Sequence, residues 1–207
     1  MSRKEAKKNL EEKIRQIKEI SGYAITGFLP EKFRSRNLVC FAKDKKNNEY
    51  AIKFSPDPGA IKHEYEMMTK ISHPNIMPIL EVIEDNPTND FIEKDDFSSI
   101  VMPKAIGGDL YEVYRSSLNI FPYHLLQFQV QNVLRSLFLA LDYIHLSGYI
   151  HRDVKMENIF IMGKTIDSKV VLGDLDLLVS SNNAKGECGT KGYAAPEILT
   201  HQPCMSI

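Results

Sequence analysis

Residues 4 to 20 are dense in Lys and Glu, yet Leu10, Ile14, Ile17 and Ile20 recur at intervals of three or four. That spacing places them on one narrow stripe, which predicts a charged helix docked on the domain that follows. Glu5, Glu11, Glu12 and Glu19 dilute the positive face that a membrane-surface helix would present. From Tyr23 to Phe54 the pattern turns to strands. Leu38 to Ala42 and Tyr50 to Phe54 are apolar runs, and Lys43 to Glu49 between them holds Asp44, Asn47 and Asn48, the chemistry of a hairpin turn. Residues 60 to 71 return to helical spacing, Pro74 and Pro78 close that helix, and Ile79 to Ile83 predicts a strand. Glu84 to Ser99 carries six acidic residues, one Lys and one Pro, too polar for a core, and is expected to be a surface loop. A strand at Ser99 to Met102 and a turn at Gly107-Gly108 follow. The longest helix is expected over roughly His124 to Leu146, with Leu126, Val130, Val133, Leu137, Leu141 and Ile144 on its apolar side and Gln127, Gln131, Arg135 and Asp142 elsewhere. Strands first and helices later predict an α+β, two-lobed arrangement.

Composition narrows the function classes. The chain has 207 residues, 43% of them hydrophobic and 26% charged, which fits a globular protein with a sizeable core. Lys and Arg total 26 against 27 for Asp and Glu, a formal net charge of -1, so the overall balance makes no electrostatic case for nucleic acid or an anionic membrane. No apolar run reaches the roughly 18 residues of a membrane span, and Met1 to Glu19 lacks the apolar core of a secretory signal. The expected compartment is a reducing one, cytoplasm or nucleus. Cys40, Cys188 and Cys204 are odd in number and widely separated, without metal-ligand spacing, and are read as free thiols.

The chemistry concentrates in His151-Arg152-Asp153-Val154-Lys155-Met156-Glu157-Asn158. In-line phosphoryl transfer needs a carboxylate to orient the attacking hydroxyl, a cation near the moving phosphate and oxygen ligands for Mg²⁺. Asp153, Lys155 and Asn158 fit those roles in that order. A second signal is Tyr50-Ala51-Ile52-Lys53, where an ammonium sits at the end of an apolar strand and needs an anion to offset its burial.

The catalytic stretch resembles the His-Arg-Asp-x-Lys-x-x-Asn loop of protein kinases, in the Ser/Thr form with Lys two residues after Asp. The resemblance runs from about Tyr23 to Thr200, and it implies a bilobal fold. A small antiparallel β-sheet lobe with one main helix would be followed by an incomplete, mainly helical C-terminal lobe. The expected organisation is a charged helical extension over 1–21, an N-lobe over 22–102 and a partial C-lobe over 103–207, with the later helices beyond the chain. Lys53 matches the lysine that meets the ATP phosphates and pairs with a Glu of the next helix, here Glu64 with Glu66 as competitor. Asp174, in Gly173-Asp174-Leu175-Asp176, matches the Mg²⁺-holding Asp of Asp-Phe-Gly. Ile100 to Ala105 resembles the hinge, with Met102 as gatekeeper and Pro103 and Ala105 at the base. Val39, Ala51, Leu110 and Phe160 would sandwich the purine, and Asp109 would meet the ribose. Gly189-Thr190-Lys191-Gly192-Tyr193-Ala194-Ala195-Pro196-Glu197 matches the Ser/Thr substrate platform. Ser180, Ser181 and Thr190 are candidate phosphorylation sites with Arg152 as partner, Thr190 having also a structural place beside Asp153.

Two departures bear on activity. The glycine-rich phosphate loop is absent, with Lys32, Arg34 and Asn37 at the expected Gly positions, and Asp176 replaces a Gly. The implied function is an ATP- and Mg²⁺-dependent Ser/Thr kinase acting on a protein substrate, with a regulatory protein partner possible and neither nucleic acid nor membrane expected. The alternative is a pseudokinase or kinase fragment that serves as a binding or scaffold module.

Overall fold

The computed structural model describes residues 3–29, 38–55, 58–83, 98–118, 126–184 and 188–196, without the side chains of 3–7, 9, 10 and 58. Lys32, Arg34, Asn37, most of the acidic 84–99 segment, Glu197 and Cys204 therefore lie outside the described residues. Two compact units emerge, one from Met1–Glu66 with Pro78–Lys104, the other from Met67–Met77 with Ala105–Ile207.

The first unit opens with helix α1 (Arg3–Gln16) and then runs through strands β1 (Glu19–Ile20), β2 (Tyr23–Phe28), β3 (Leu38–Lys43) and β4 (Glu49–Ser55). Helix α2 (Pro58–Lys70) starts in it, and β5 (Glu81–Ile83) and β6 (Ser98–Pro103) complete an antiparallel sheet in the order β1-β2-β3-β4-β6-β5. The β3–β4 turn forms as its composition predicts: Asp44 Oδ1 accepts from the backbone N–H of Lys46 and Asn48 at 2.8 and 2.9 Å. Tyr23 of β2 donates to Glu81 of β5 at 2.9 Å although four strand positions separate them, so the sheet curls strongly.

Ladder partners share a face, which sorts the side chains. Leu38, Cys40 and Ala42 of β3 join Ile52 and Phe54 of β4 in the core, and Ile14, Ile17 and Ile20 pack onto them, all buried. The apolar stripe thus docks as its spacing predicts. The helix itself stops at Gln16 rather than reaching residue 20. Ile20 instead pairs with Tyr23 across a tight turn whose residues Ser21 and Gly22 take φ of 48° and 83°. Gly at the second position makes that left-handed turn cheaper than one more helical turn.

The second unit contains the end of α2, α3 (Leu110–Leu118), α4 (Gln127–Leu146) and four short strands: β7 (Tyr149–Ile150), β8 (Ile159–Ile161), β9 (Val170–Leu172) and β10 (Val179–Ser180). β7 pairs with β10, and β8 with β9. Asn75 fastens the segment after α2 to β9, its Nδ2 donating to the Val170 carbonyl at 2.9 Å and its carbonyl accepting from Leu172 N–H at 2.8 Å.

The buried face of α4 is Val133, Ser136, Ala140 and Ile144, with Leu137 and Leu141 half-buried beside it. Leu126 and Val130, expected on that face, are 56% and 39% exposed. Leu126 is the N-cap residue and Val130 lies in the first turn of α4, ahead of the buried residues, which begin at Val133. The two-residue strands and α3 were not foreseen; pairs this short carry no readable period.

Candidate catalytic and nucleotide-binding residues

In the first unit, Val39 opposes Lys53 and Ala51 opposes Met102 across the ladders, so all four project from the face opposite the Cys40–Ile52–Phe54 core. Lys53 is 6% exposed and Glu64 1%. The ammonium donates to both carboxylate oxygens, at 2.9 and 3.1 Å, a closed pair that offsets the burial of each charge. Glu66, two residues along α2, points to solvent. Pro103 ends β6 opposite Tyr50.

The second unit holds the remaining candidates. Ala105 opens a turn in which its carbonyl accepts from Gly108 N–H at 3.1 Å. Asp109 caps α3, its Oδ1 accepting from Glu112 N–H at 2.8 Å. Burial raises the Asp109 carboxyl above its ordinary value, and the nearby charges of Glu112 and Glu157 add to this. That acidic corner was not foreseen; its only sequence signals are the three-residue spacing of Asp109 and Glu112 and the place of Glu157 next to Asn158. Phe160 lies in β8 against Gly173, where an added Cβ would come within 2.8 Å of the ring, so only glycine fits.

The stretch over 151–158 is wired around Asp153. Lys155 Nζ donates to Asp153 Oδ2 at 2.7 Å and to Thr190 Oγ1 at 2.8 Å, and the Thr190 hydroxyl donates its one proton to Asp153 Oδ1 at 2.7 Å. Asn158 Nδ2 donates to the Asp153 carbonyl at 2.8 Å and to Oδ2 at 3.2 Å, so its amide oxygen faces away from these bonds. Burial pushes the Asp153 carboxyl up, but Lys155, Thr190 and Asn158 together outweigh it and hold the group below its usual range. It is an anion at neutral pH with both oxygens held in place. Gly189 makes this closure possible: at φ 92°, an added Cβ would lie 2.7 Å from the Arg152 carbonyl.

His151 is 1% exposed and braces the stretch from below. Its Nδ1 accepts from Asp153 N–H at 3.2 Å and its Nε2 meets the Gly173 carbonyl at 3.1 Å, a pattern that a neutral ring protonated on Nε2 satisfies. Burial lowers its pKa, in keeping with that neutral form. Gly173 N–H in turn donates to the Asn158 carbonyl at 2.8 Å, tying Asp174 to the same frame. Asp174 has φ 58°, whereas Asp176, in the glycine's place, is not among the positive-φ residues.

Of the candidate regulatory residues, Arg152 donates from Nε to the Leu177 carbonyl at 2.7 Å. Ser180 pairs with Tyr149 in the β10–β7 ladder, and Ser181 N–H donates to Gly148 at 2.9 Å. Cys40 is buried, which raises its thiol to about 12. No helix among the described residues is long and apolar enough to cross a membrane.

Comparison with known proteins gives a coherent set. The family described as protein kinase domain matches residues 37–206. Calcium/calmodulin-dependent protein kinase type 1 of Macrobrachium nipponense is 29% identical over 173 residues, 82% of this chain and 44% of the relative. Calcium-dependent protein kinase 5 of Plasmodium berghei (strain Anka) is 32% identical over 67% of this chain and 23% of its own length. Human calcium/calmodulin-dependent protein kinase type 1B is 29% identical over 69% of this chain and 38% of its own. The matched part of this chain spans less than half the length of each of these relatives.

Proposed function

Since the chain belongs to the protein kinase domain family, matched over residues 37–206, we propose that it serves transfer of the γ-phosphate of ATP to a Ser or Thr hydroxyl of a protein substrate. The observation that carries this reading is the Asp153–Lys155–Thr190 triangle, every edge of which is 2.7 or 2.8 Å. An ionised, immobilised carboxylate beside an ammonium is suited to orient an acceptor hydroxyl and receive its proton while the cation steadies the moving phosphate. Thr190 holds both groups in register.

Lys53, fixed by Glu64, is assigned to the nucleotide phosphates, and Val39, Ala51, Met102, Pro103, Ala105 and Phe160 to the base, with Asp109 at the ribose. Asn158 and Asp174 offer an amide oxygen and a carboxylate, the hard oxygen donors that Mg²⁺ prefers. When bound, Mg²⁺ neutralises charge on the transferring phosphates. Ser180 and Ser181, with Arg152, remain the proposed regulatory positions; Thr190 is assigned the structural place. The names of the relatives refer to control by calcium or calmodulin, and a regulatory protein partner is proposed here on that ground.

A second reading, a binding or scaffold module, is favoured by Lys32, Arg34 and Asn37 where phosphate-cradling glycines are expected. Calorimetry of ATP with and without Mg²⁺, on this chain and on Asp174→Asn, separates the two. Binding that Mg²⁺ strengthens and the substitution abolishes is the expected result. A folded chain that takes up no ATP would refute the catalytic reading and leave the scaffold.

A further inference from the structure

One rung of the sheet in the first unit sets a large aromatic ring between two nearly bare positions. Gly27 of β2 opposes Phe41 of β3, Phe41 opposes Ala51 of β4, and Ala51 opposes Met102 of β6. Ladder partners share a face, so all four lie on the face that carries Val39 and Lys53. Gly27 owes its place to a register shift: Ile25 pairs with Ala42, Thr26 is skipped, and a residue without a side chain stands across from the ring. A Cβ added at Gly27 would meet no atom within 4 Å among the described residues, and its backbone is not left-handed. On the other side Ala51 offers a single methyl group. Phe41 itself is half-buried rather than sealed in the core. Its ring is also braced. Lys104 Nζ lies 4.9 Å from the ring centroid, and it donates to Glu49 Oε1 at 3.2 Å while the Lys104 N–H donates to the Glu49 carbonyl at 3.3 Å. A cation tied down over an aromatic ring fixes how that ring is turned.

We propose that Phe41 is a further base-contacting residue of the nucleotide site, a stacking surface that favours purine over pyrimidine nucleotides, with Lys104 as its positioning residue. This rests on the ATP reading above, which assigns Val39, Ala51 and Met102 to the base. Phe41 adjoins Ala51 across the ladder and follows Val39 by two residues on the same face. Aromatic rings in offset or edge-to-face contact gain more than the area they bury. The fused double ring of a purine offers more of that contact than the single ring of a pyrimidine. An aliphatic side chain at position 41 supplies apolar area without the preference.

Calorimetry of ATP and of CTP, each with Mg²⁺, tests this, with circular dichroism to follow folding. Wild type is expected to bind ATP about tenfold or more tighter than CTP. Phe41→Leu is expected to lose about fivefold in ATP affinity and less than about twofold in CTP affinity, so the ratio narrows. Phe41→Tyr keeps the ring and is expected to keep the ratio. Lys104→Met retains the apolar stem, loses the cation and is expected to narrow the ratio about twofold. Gly27→Val leaves Phe41 untouched and adds its atoms to open space on ordinary strand backbone. It is expected to fold and, by crowding the space beside the ring, to weaken ATP about tenfold or more. A purely structural Phe41 would lower both nucleotides alike. Equal binding of ATP and CTP by wild type, a Phe41→Leu variant that lowers both affinities equally or neither, or Gly27→Val that binds ATP like wild type would each overturn the proposal and leave the ATP reading standing. The wild-type ratio in Lys104→Met would strike out the part given to Lys104. A folded wild type that takes up no ATP refutes the ATP reading, and this proposal falls with it.

Discussion

Replacing Lys53 by Met removes an ammonium that sits 2.9 and 3.1 Å from the two oxygens of Glu64, a residue only 1% exposed. Deleting one partner of a buried ion pair costs about 3–5 kcal/mol because the other charge stays desolvated. Glu64 has one escape, uptake of a proton, and its cost is set by pH. Each pH unit above the ordinary Glu value of about 4.3 costs about 1.36 kcal/mol, which gives about 3.7 kcal/mol at pH 7 and about 1 kcal/mol at pH 5. The penalty for Lys53→Met is therefore capped at about 3.7 kcal/mol at pH 7 and shrinks to about 1 kcal/mol at pH 5. The sign follows from proton counting. The variant's native state binds a proton that the unfolded chain binds only near pH 4.3, so relative to wild type its stability rises as pH falls. Urea unfolding of wild type, Lys53→Met and Lys53→Met/Glu64→Gln at both pH values measures this. The double variant buries no charge at this pair and is expected within about 1 kcal/mol of wild type, while under the proposed role both variants lose ATP binding. A penalty independent of pH, or a double variant as unstable as the single one, would refute the reasoning.

Thr190→Val removes the hydroxyl that bridges Lys155 and Asp153 and is expected to cost about 1–3 kcal/mol and to raise the Asp153 pKa, read by carboxyl NMR titration. His151 stays neutral in the native state while the unfolded chain takes up its proton below about pH 6.5. Its contribution to stability is thus present above that pH and shrinks as pH falls below it, a slope that His151→Gln should remove in urea melts. Ile14→Ala opens the core over Cys40 and is expected to cost about 2–5 kcal/mol and to speed reaction of Cys40 with a thiol reagent, with the partly exposed Cys188 as internal control. Asp176→Gly is expected to destabilise by about 0.5–1 kcal/mol through chain entropy; stabilisation would show that the aspartate is strained there.

Legibility in the sequence followed the physics of each signal. The docked stripe of Ile14, Ile17 and Ile20 was readable because three large apolar residues in a Lys/Glu-rich background have no other way to leave water. The β3–β4 hairpin was readable because Asp44 makes its own turn. Lys53 announced a buried anion partner, but periodicity alone left Glu64 and Glu66 open, since the choice depends on how α2 is rotated. Asp153, Lys155 and Asn158 were readable as a set because their chemistry is local to eight residues. The bracing by His151 and Gly173 was not, because it joins segments 22 residues apart through one ring. On α4 the helical period was read correctly but the buried arc was misplaced toward Leu126 and Val130. Ser136 and Ala140, small residues that allow close approach to the strands, carry no hydrophobic signal of their own.

The location of backbone strain gives the candidate site a mechanical logic. Left-handed geometry at a non-glycine residue costs on the order of 1 kcal/mol and persists only where the surroundings over-determine it. In the second unit it occurs at Arg152 and Asp174, each adjacent to or part of the proposed chemistry. Arg152 is held by its bond to the Leu177 carbonyl and by the His151 and Asp153 anchors on either side. Asp174 follows Gly173, which is tied through both its N–H and its carbonyl, and precedes Leu175, which is fully buried. The two strained residues are thus clamped by one shared element, the His151 ring, which accepts from Asp153 N–H and meets the Gly173 carbonyl. The glycine-to-aspartate change at 176 falls outside this clamp, on backbone that an ordinary residue adopts. Any consequence for the proposed Mg²⁺ site is therefore expected through the added carboxylate charge two residues from Asp174 rather than through a distorted chain.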